Sequence, residues 1–449
     1  MNVLAWIDQI NGWVWGFEMM LVFLAIGLYL TVRTSFIQFA RIGVIFRETL
    51  GAIRERTLGG DGEISPFQAT MIAMGATIGI GNTVGVTAAI LAGGPGAIFW
   101  MWIAALVGMA TKFAEATLAV HYRRRFADGS VSGGPMYYIA RGLGLPWLGA
   151  LFAVFAAVAA FGIGNVVQVS AIAGAMQNQL HITPAWTGLF AGVVVAVVLA
   201  GGVRRIARVA QTLVPLMVLF YLVLAVSVLV LHASGIGPAL RSIFESAFSL
   251  QAGFGGAVGV ATIEMIKAGV GRGIFSNEAG LGSAAIAHAQ ARVDHPVRQG
   301  FWGAMEVFVD SIVINTFTAL VVLSSGAWAL GGAPYEVLGQ SFGGIVSAQL
   351  LLALALALFA FTTLISWAFY GEESAAYLFG EGIRWPYRLA YVVMAFVGGL
   401  GSFGTLIKFS DTMNGLMAIP NLIALLLLGG VVARLTRGFF SGEPWNPPK

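Results

Sequence analysis

The chain contains no cysteine, which removes disulfides, thiolate metal sites and thiol nucleophiles at once. Charge is scarce as well. Charged residues make up 10% of the 449, against 58% hydrophobic ones, where a soluble globular protein carries about 25% charged residues. So little charge cannot cover a folded surface in water, and lipid must be the solvent over most of it. No Walker loop, Ser/His/Asp arrangement, paired-carboxylate site or nucleic-acid pattern is present. His121, His181, His232, His288 and His295 show no metal-ligand spacing; even His288, the deepest, reads as a loop-proximal residue. An enzyme is therefore not expected. Residues 1–15 hold no Lys or Arg, so the positive n-region of a signal peptide is missing and the first spanning helix should stay in the mature protein.

What the sequence does have is apolar runs. A spanning helix needs about 20 apolar residues. One reads from 17 to 32, flanked by amphipathic stretches, and ten more at 66–92, 96–120, 147–178, 185–202, 210–232, 253–290, 300–324, 344–371, 388–407 and 412–433. The pI near 9.4 does not mark a nucleic-acid partner, because the basic residues form no single face or tail. Alternate loops collect them instead: Arg33, Arg41, Arg47, Arg54 and Arg56; Arg123, Arg124, Arg125 and Arg141; Arg204, Arg205 and Arg208; Arg292 and Arg298; Arg384 and Arg388; Arg434, Arg437 and Lys449. The opposite loops hold only Arg241 and Lys408. That bias predicts a multi-pass protein of the cell membrane, N-terminus outside and C-terminus cytoplasmic.

Two of the long spans carry matching glycine-rich centres. Gly79-Ile80-Gly81-Asn82-Thr83-Val84-Gly85 and Gly273-Ile274-Phe275-Ser276-Asn277-Glu278-Ala279-Gly280 both begin Gly-Ile, hold an Asn in the middle and end in Gly. Each opens a series of five spans, and the two series start from opposite membrane faces. This predicts an all-α polytopic protein of 11 transmembrane helices: an inverted 5+5 repeat of 66–232 and 253–433, preceded by a peripheral helix within 1–65. An external connector (233–252) and a cytoplasmic tail (434–449) complete the organisation. A helix unwound in the bilayer must line a protein cavity, because lipid cannot satisfy the freed backbone groups. Its half-helix N-terminus suits a carboxylate, while freed carbonyls suit a cation or an ammonium. Together they would receive a zwitterion.

On these residues a resemblance rests. Gly93-Gly94-Pro95-Gly96-Ala97-Ile98-Phe99-Trp100-Met101-Trp102, Gly133-Gly134-Pro135-Met136-Tyr137-Tyr138, the stretch 272–282 and the stretch 359–372 resemble, in order, the signatures of the alanine/glycine:cation symporter family, over roughly 15–440. The resemblance implies the inverted fold of leucine-type transporters and import of alanine, glycine or, in some members, glutamine with Na⁺. It implies that backbone N–H groups around Gly79 and Gly81, with Thr77 and Asn82 nearby, take the substrate carboxylate. Phe275, Ser276 and Asn277 would form the opposite wall and take the ammonium, and Gln168, Thr363 and Trp367 would border the side chain. The carbonyls of Gly75, Ile78 and Phe359, with the Thr362 and Thr363 hydroxyls, would hold the sodium ion. The chain departs from relatives at Ile80, where they often carry Thr, and at Thr83, where they carry Ile or a similar residue. The exact substrate and a second cation site near Asn82 stay open.

Remaining polar residues suggest local pairing. Lys112 with Glu115 and Glu264 with Lys267 lie three apart on helical faces; Arg272 has Glu278 as a candidate partner; Asp310 and Asn315 should face inward. Trp13 and Trp15 read as an interfacial belt. The rivals are a proton-coupled transporter of the same architecture, disfavoured because 209–232 holds no Lys or Arg, and a channel, disfavoured because no ring of one charge or repeated filter appears.

Overall fold

The computed structural model describes residues 3–53, 59–127, 129–248, 256–401 and 404–448, with side chains omitted at 3, 4 and 256–261. The start of the predicted span 253–290, part of 388–407, Arg54, Arg56 and Lys449 lie outside these residues. Apart from one two-stranded hairpin, Arg124–Arg125 with Val131–Ser132, the elements are helices. Among the described residues, seven are long and apolar enough to cross a bilayer: Ala5–Arg33, Gly96–His121, Pro146–Leu180, Gly202–Leu231, Pro296–Ser324, Ala348–Phe379 and Gly404–Ser441. An eighth span is a bent pair, Pro66–Thr77 with Ile80–Gly93. The chain is an integral membrane protein. Leu216, Leu219, Val223, Val226 and Val230 on Gly202–Leu231 are exposed, the hydrocarbon-facing surface that lipid requires.

The expected eleven-span count goes beyond these eight. Pro184–Leu199 has 16 residues and Arg384–Gly398 has 15 and begins with Arg384; at 1.5 Å per residue each falls short of a core about 30 Å thick. The predicted break between 407 and 412 is helical, and the last helix starts at Gly404, so Lys408 belongs to its first turns. The stretch read as a connector holds a further helix, Ala233–Phe248.

The first break forms where the sequence places it. Pro66–Thr77 starts on a capping box, with Ser65 Oγ accepting from the Gln68 N–H at 3.2 Å and the Ser65 N–H donating to Gln68 Oε1 at 3.0 Å, and Pro66 needs no amide partner at that position. The helix ends at Ile78, whose backbone is extended. The chain turns through 63° into a 3₁₀ turn, Ile80–Asn82. Asn82 Oδ1 accepts from the Gly79 N–H at 2.8 Å, replacing the helical bond that the break removes.

The second break lies further along than expected. Gly256–Asn277 runs as one helix through Gly273, and the unwound turn is 278–282, where Glu278, Gly280 and Gly282 have φ of 54°, 96° and 85°. Asn277 Oδ1 accepts from the Ala279 N–H at 3.0 Å and ends the helix. After the turn the chain re-enters a short helix, Ser283–His288. Helix Pro296–Val307 packs tightly on Gly96–His121 because it carries glycine at the contact: a Cβ on Gly303 would sit 2.7 Å from the Lys112 carbonyl. Small residues play this part wherever membrane helices approach closely.

Candidate functional site

Between the two breaks lies a cavity of about 620 Å³. Thr77, Gly79, Ile80 and Gly81 from the first break line it, with Phe275 and Ser276 from the helix that leads into the second and Glu278 from the second itself. Gln168, Thr363 and Trp367 close another side, and the rim carries Lys267, Arg272, Lys408 and Asp411. Eight predicted substrate residues therefore meet at one cavity.

Two do not. Asn82 faces away from the cavity: its Nδ2 reaches Asp310 Oδ1 at 2.6 Å, Asn315 Oδ1 at 2.9 Å and Ser276 Oγ at 2.9 Å. Asn277 turns its side chain to Ser311 Oγ, 3.0 Å away. Both positions are structural ties because the amide of each caps its own break, which points it into the helix bundle. The Asp310 and Asn315 network expected inside the bundle is thus the knot that joins the breaks to a π-helical stretch, Phe308–Ile314. A second π-helical stretch, Gly162–Val166, presents Ile163 to the cavity and accepts the Gln168 Nε2–H at the Ile163 carbonyl, 3.0 Å. Gln168 Oε1 and Trp367 Nε1 are buried with no partner among the described residues.

Beneath the cavity floor the predicted ion ligands converge. Thr363 Oγ1 lies 3.1 Å from the Gly75 carbonyl and 3.0 Å from the Phe359 carbonyl, and Thr362 Oγ1 is 2.9 Å from the same Phe359 oxygen. These contacts gather four of the five expected groups; Ile78 caps the helix end, and its carbonyl makes none of these bonds. The groups gathered here are neutral hydroxyl and carbonyl oxygens, a set that suits a weakly held monovalent cation. One residue went unseen in the sequence. Ser366 is fully buried, its Oγ has no partner among the described residues, and it lies 2.9 Å from where a Cβ on Gly75 would be. Its spacing from Thr362 and Thr363, one turn on, was the available signal.

Other pairings differ from expectation. Glu264 and Lys267 do pair, at 3.0 Å. Lys112 instead faces Glu306, 3.3 Å away with both side chains fully buried, while Glu115 accepts from the Gly280 N–H at 3.0 Å and Asn421 Nδ2 at 2.6 Å. Helical spacing allows the Lys112–Glu115 pair, but each residue finds a partner on a different neighbouring helix. His288 ends helix Ser283–His288 beside the following loop, yet it is buried, bonded to Glu306 at 2.9 Å and Gln299 at 2.7 Å. Glu278 accepts from Ser283, and Arg272 stands within electrostatic reach of Asp411. Trp15 is no belt residue: it lines the cavity and meets Phe275 edge-on at 5.7 Å.

The model of the sodium:alanine symporter family matches residues 1–444. The chain is 42% identical to the sodium/alanine symporter AgcS of Methanococcus maripaludis, over 98% of each chain. It is 37% identical to a probable sodium/glutamine symporter, GlnT of Bacillus subtilis, over 94% of this chain and 87% of that one. Among solved structures, MhsT in complex with L-phenylalanine matches with a TM-score of 0.55 at 13% identity, covering 85% of this chain and all of the other; the fold is that of the leucine-type transporters.

Proposed function

This chain belongs to the sodium:alanine symporter family, and from that membership we propose that it imports a small neutral amino acid, alanine or glycine, together with Na⁺ by alternating access. One observation carries the reading: the cavity floor is made of unwound backbone, and directly under it lie the hydroxyls of Thr362, Thr363 and Ser366 with the carbonyls of Gly75 and Phe359. The substrate carboxylate is received by the N–H groups of Ile80 and Gly81, since that of Gly79 already serves Asn82; the first amides of a turn are those left without intrahelical partners. Phe275 and Ser276 take the ammonium side. Trp367 and Gln168 bound the side chain. Thr363 touches both the cavity and the Gly75 carbonyl, so an ion that orders Thr363 also orders the turn that holds the amino acid. Such shared ordering is a coupling between the two ligands.

The rocking step follows from differential affinity: Na⁺ favours the state with the cavity open to the outside, and the amino acid then favours closure. The orientation is the one the basic loops prescribe, with the cavity rim outside, and the two halves of the molecule are the inverted repeats 66–232 and 253–433. Calorimetric titration of alanine and glycine into purified protein tests the reading. Binding tightened by Na⁺ relative to K⁺ is expected; affinity that is the same in both salts would contradict it.

A further inference from the structure

At the end of the molecule remote from the cavity, the chain entering the first broken helix is stitched to the chain leaving the second. Ile64 and Ala291 form a parallel bridge. The Glu63 N–H donates to the Gln290 carbonyl at 3.0 Å, and the Arg292 N–H to the Ile64 carbonyl at 2.8 Å. Gly60 and Gly62 have φ of 116° and 143°, and a Cβ on either would lie 2.1 and 2.5 Å from the backbone of Val293 and Arg292, so only glycine allows this approach. Across the seam lies Arg123, fully buried. Its Nη1 donates to the carbonyls of Ala289 at 2.9 Å and Ala291 at 2.7 Å, and its Nη2 to that of Asp61 at 2.5 Å. Arg125 reinforces the seam through Asp61 Oδ2, 2.5 Å.

A guanidinium held by backbone carbonyls alone is an expensive arrangement to bury. Burial pushes Arg123 down to about 10, so at neutral pH it remains charged. Removing it would strand the buried carbonyls of Ala289 and Ala291, and lysine cannot replace its fork, which reaches two segments at once. The polar contacts between the first of these segments and helix Gly202–Leu231 are of another kind. Glu63 meets Arg204 at 3.9 Å with the Arg204 side chain largely exposed, and Gln68 meets Gln211 through one bond of 2.9 Å. These are weak and open to water, as a surface that must part repeatedly requires.

We propose that Arg123 is a positioning residue that clips the inner ends of both broken helices into one rigid body, so that the inner pathway opens between this body and helix Gly202–Leu231, and not by Pro66–Thr77 pivoting alone at its break. The inference rests on the transport reading for its setting, and it decides which seam moves. Parting occurs along Glu63–Arg204 and Gln68–Gln211, while Ile64–Ala291 stays closed through the cycle.

The absence of cysteine makes the test clean, because introduced thiols are the only ones. Bridge partners stand about 4.8 Å apart, within disulfide reach. The variant Ile64→Cys/Ala291→Cys, oxidised in proteoliposomes, should keep its Na⁺-driven alanine uptake, whereas Gln68→Cys/Gln211→Cys joined by a short bis-maleimide should lose it. Loss of uptake in the oxidised 64/291 variant, restored by reductant, would overturn the clip. A second measurement needs no transport. In the single variant Ile64→Cys the thiol should stay shielded from maleimide with and without Na⁺ and alanine, and should react at least about tenfold faster when Arg123→Ala is added, an opening made easier by about 1.4 kcal/mol. Labelling that rises on adding Na⁺ and alanine with Arg123 intact would sink the proposal. Uptake in the unmodified protein that ignores Na⁺ would count against the transport reading only, since the shielding is measured without a gradient.

Discussion

Thr363 is a hydroxyl with two duties, facing the cavity and bonding the Gly75 and Phe359 carbonyls. Ser366 beside it has none among the described residues. A buried hydroxyl left without a partner costs about 1–3 kcal/mol, and an ion at this place would remove that cost. Ser366→Ala should therefore weaken Na⁺ activation by roughly tenfold while leaving thermal stability without Na⁺ unchanged or raised; flux measured against Na⁺ concentration checks it, and an unchanged Na⁺ dependence would take Ser366 out of the ion site. Trp367, 1% exposed, lines the cavity, and Trp367→Ala should admit bulkier amino acids in a competition panel of alanine, glycine and glutamine. Unaltered selectivity would move Trp367 off that wall. A third residue sets a pH limit. Burial lowers His295 from its ordinary 6.5 to about 4, and its Nδ1 accepts from the Val297 N–H. Between those values the unfolded chain binds a proton that the folded chain does not, so stability should fall as pH drops from 6.5 toward 4 and be unaffected above 6.5. His295→Asn, which keeps a capping acceptor, should flatten that part of a melting-temperature profile. At this scale the family motif pointed to Thr362, Thr363 and Trp367, which the fold brings to the cavity and the oxygens beneath it. It missed Ser366 and misplaced Asn82 and Asn277, because the direction of a side chain at a helix break depends on which backbone amide it caps.

Breaks and bulges are the elements that matter. The first break was readable because Gly79 and Gly81 bracket it and Asn82 closes it. The second was read five residues early: Gly273 begins the motif, but it serves packing, with Met101 3.3 Å from a would-be Cβ, and the positive φ values fall at Glu278, Gly280 and Gly282. Glycines for close approach and glycines for unwinding look alike in a sequence. The π-helical stretch Gly162–Val166 left no periodic signal at all, since one widened turn does not alter an apolar run. Its role is nevertheless specific. A Cβ on Gly164 would lie 2.2 Å from the Trp367 Cβ, so Gly164→Ala must push Trp367 toward the cavity or distort the stretch, at a cost of about 1–3 kcal/mol. The expected outcome is a lowered melting temperature together with weaker alanine binding. A variant with unchanged binding would show that the contact does not set the pocket wall.

For the whole molecule, composition and the alternation of basic loops were enough to establish a multi-pass helical protein, and the order of the motifs was enough for the family. The number of spans was less accessible, because Pro184–Leu199 and Arg384–Gly398 are helices too short by length alone to be counted. Tertiary pairing was least accessible: Lys112 with Glu306 and Arg123 with Asp61, Ala289 and Ala291 join segments far apart in the chain, and a single sequence carries no record of such contacts. The central claim is that neutral oxygens under an unwound helix couple an alkali cation to a zwitterion. The most direct measurement is alanine and glycine uptake into proteoliposomes under an imposed inward Na⁺ gradient, with K⁺ in place of Na⁺ as the control. The account predicts accumulation above the outside concentration that collapses when the gradient is dissipated; uptake that proceeds equally without the gradient would contradict it.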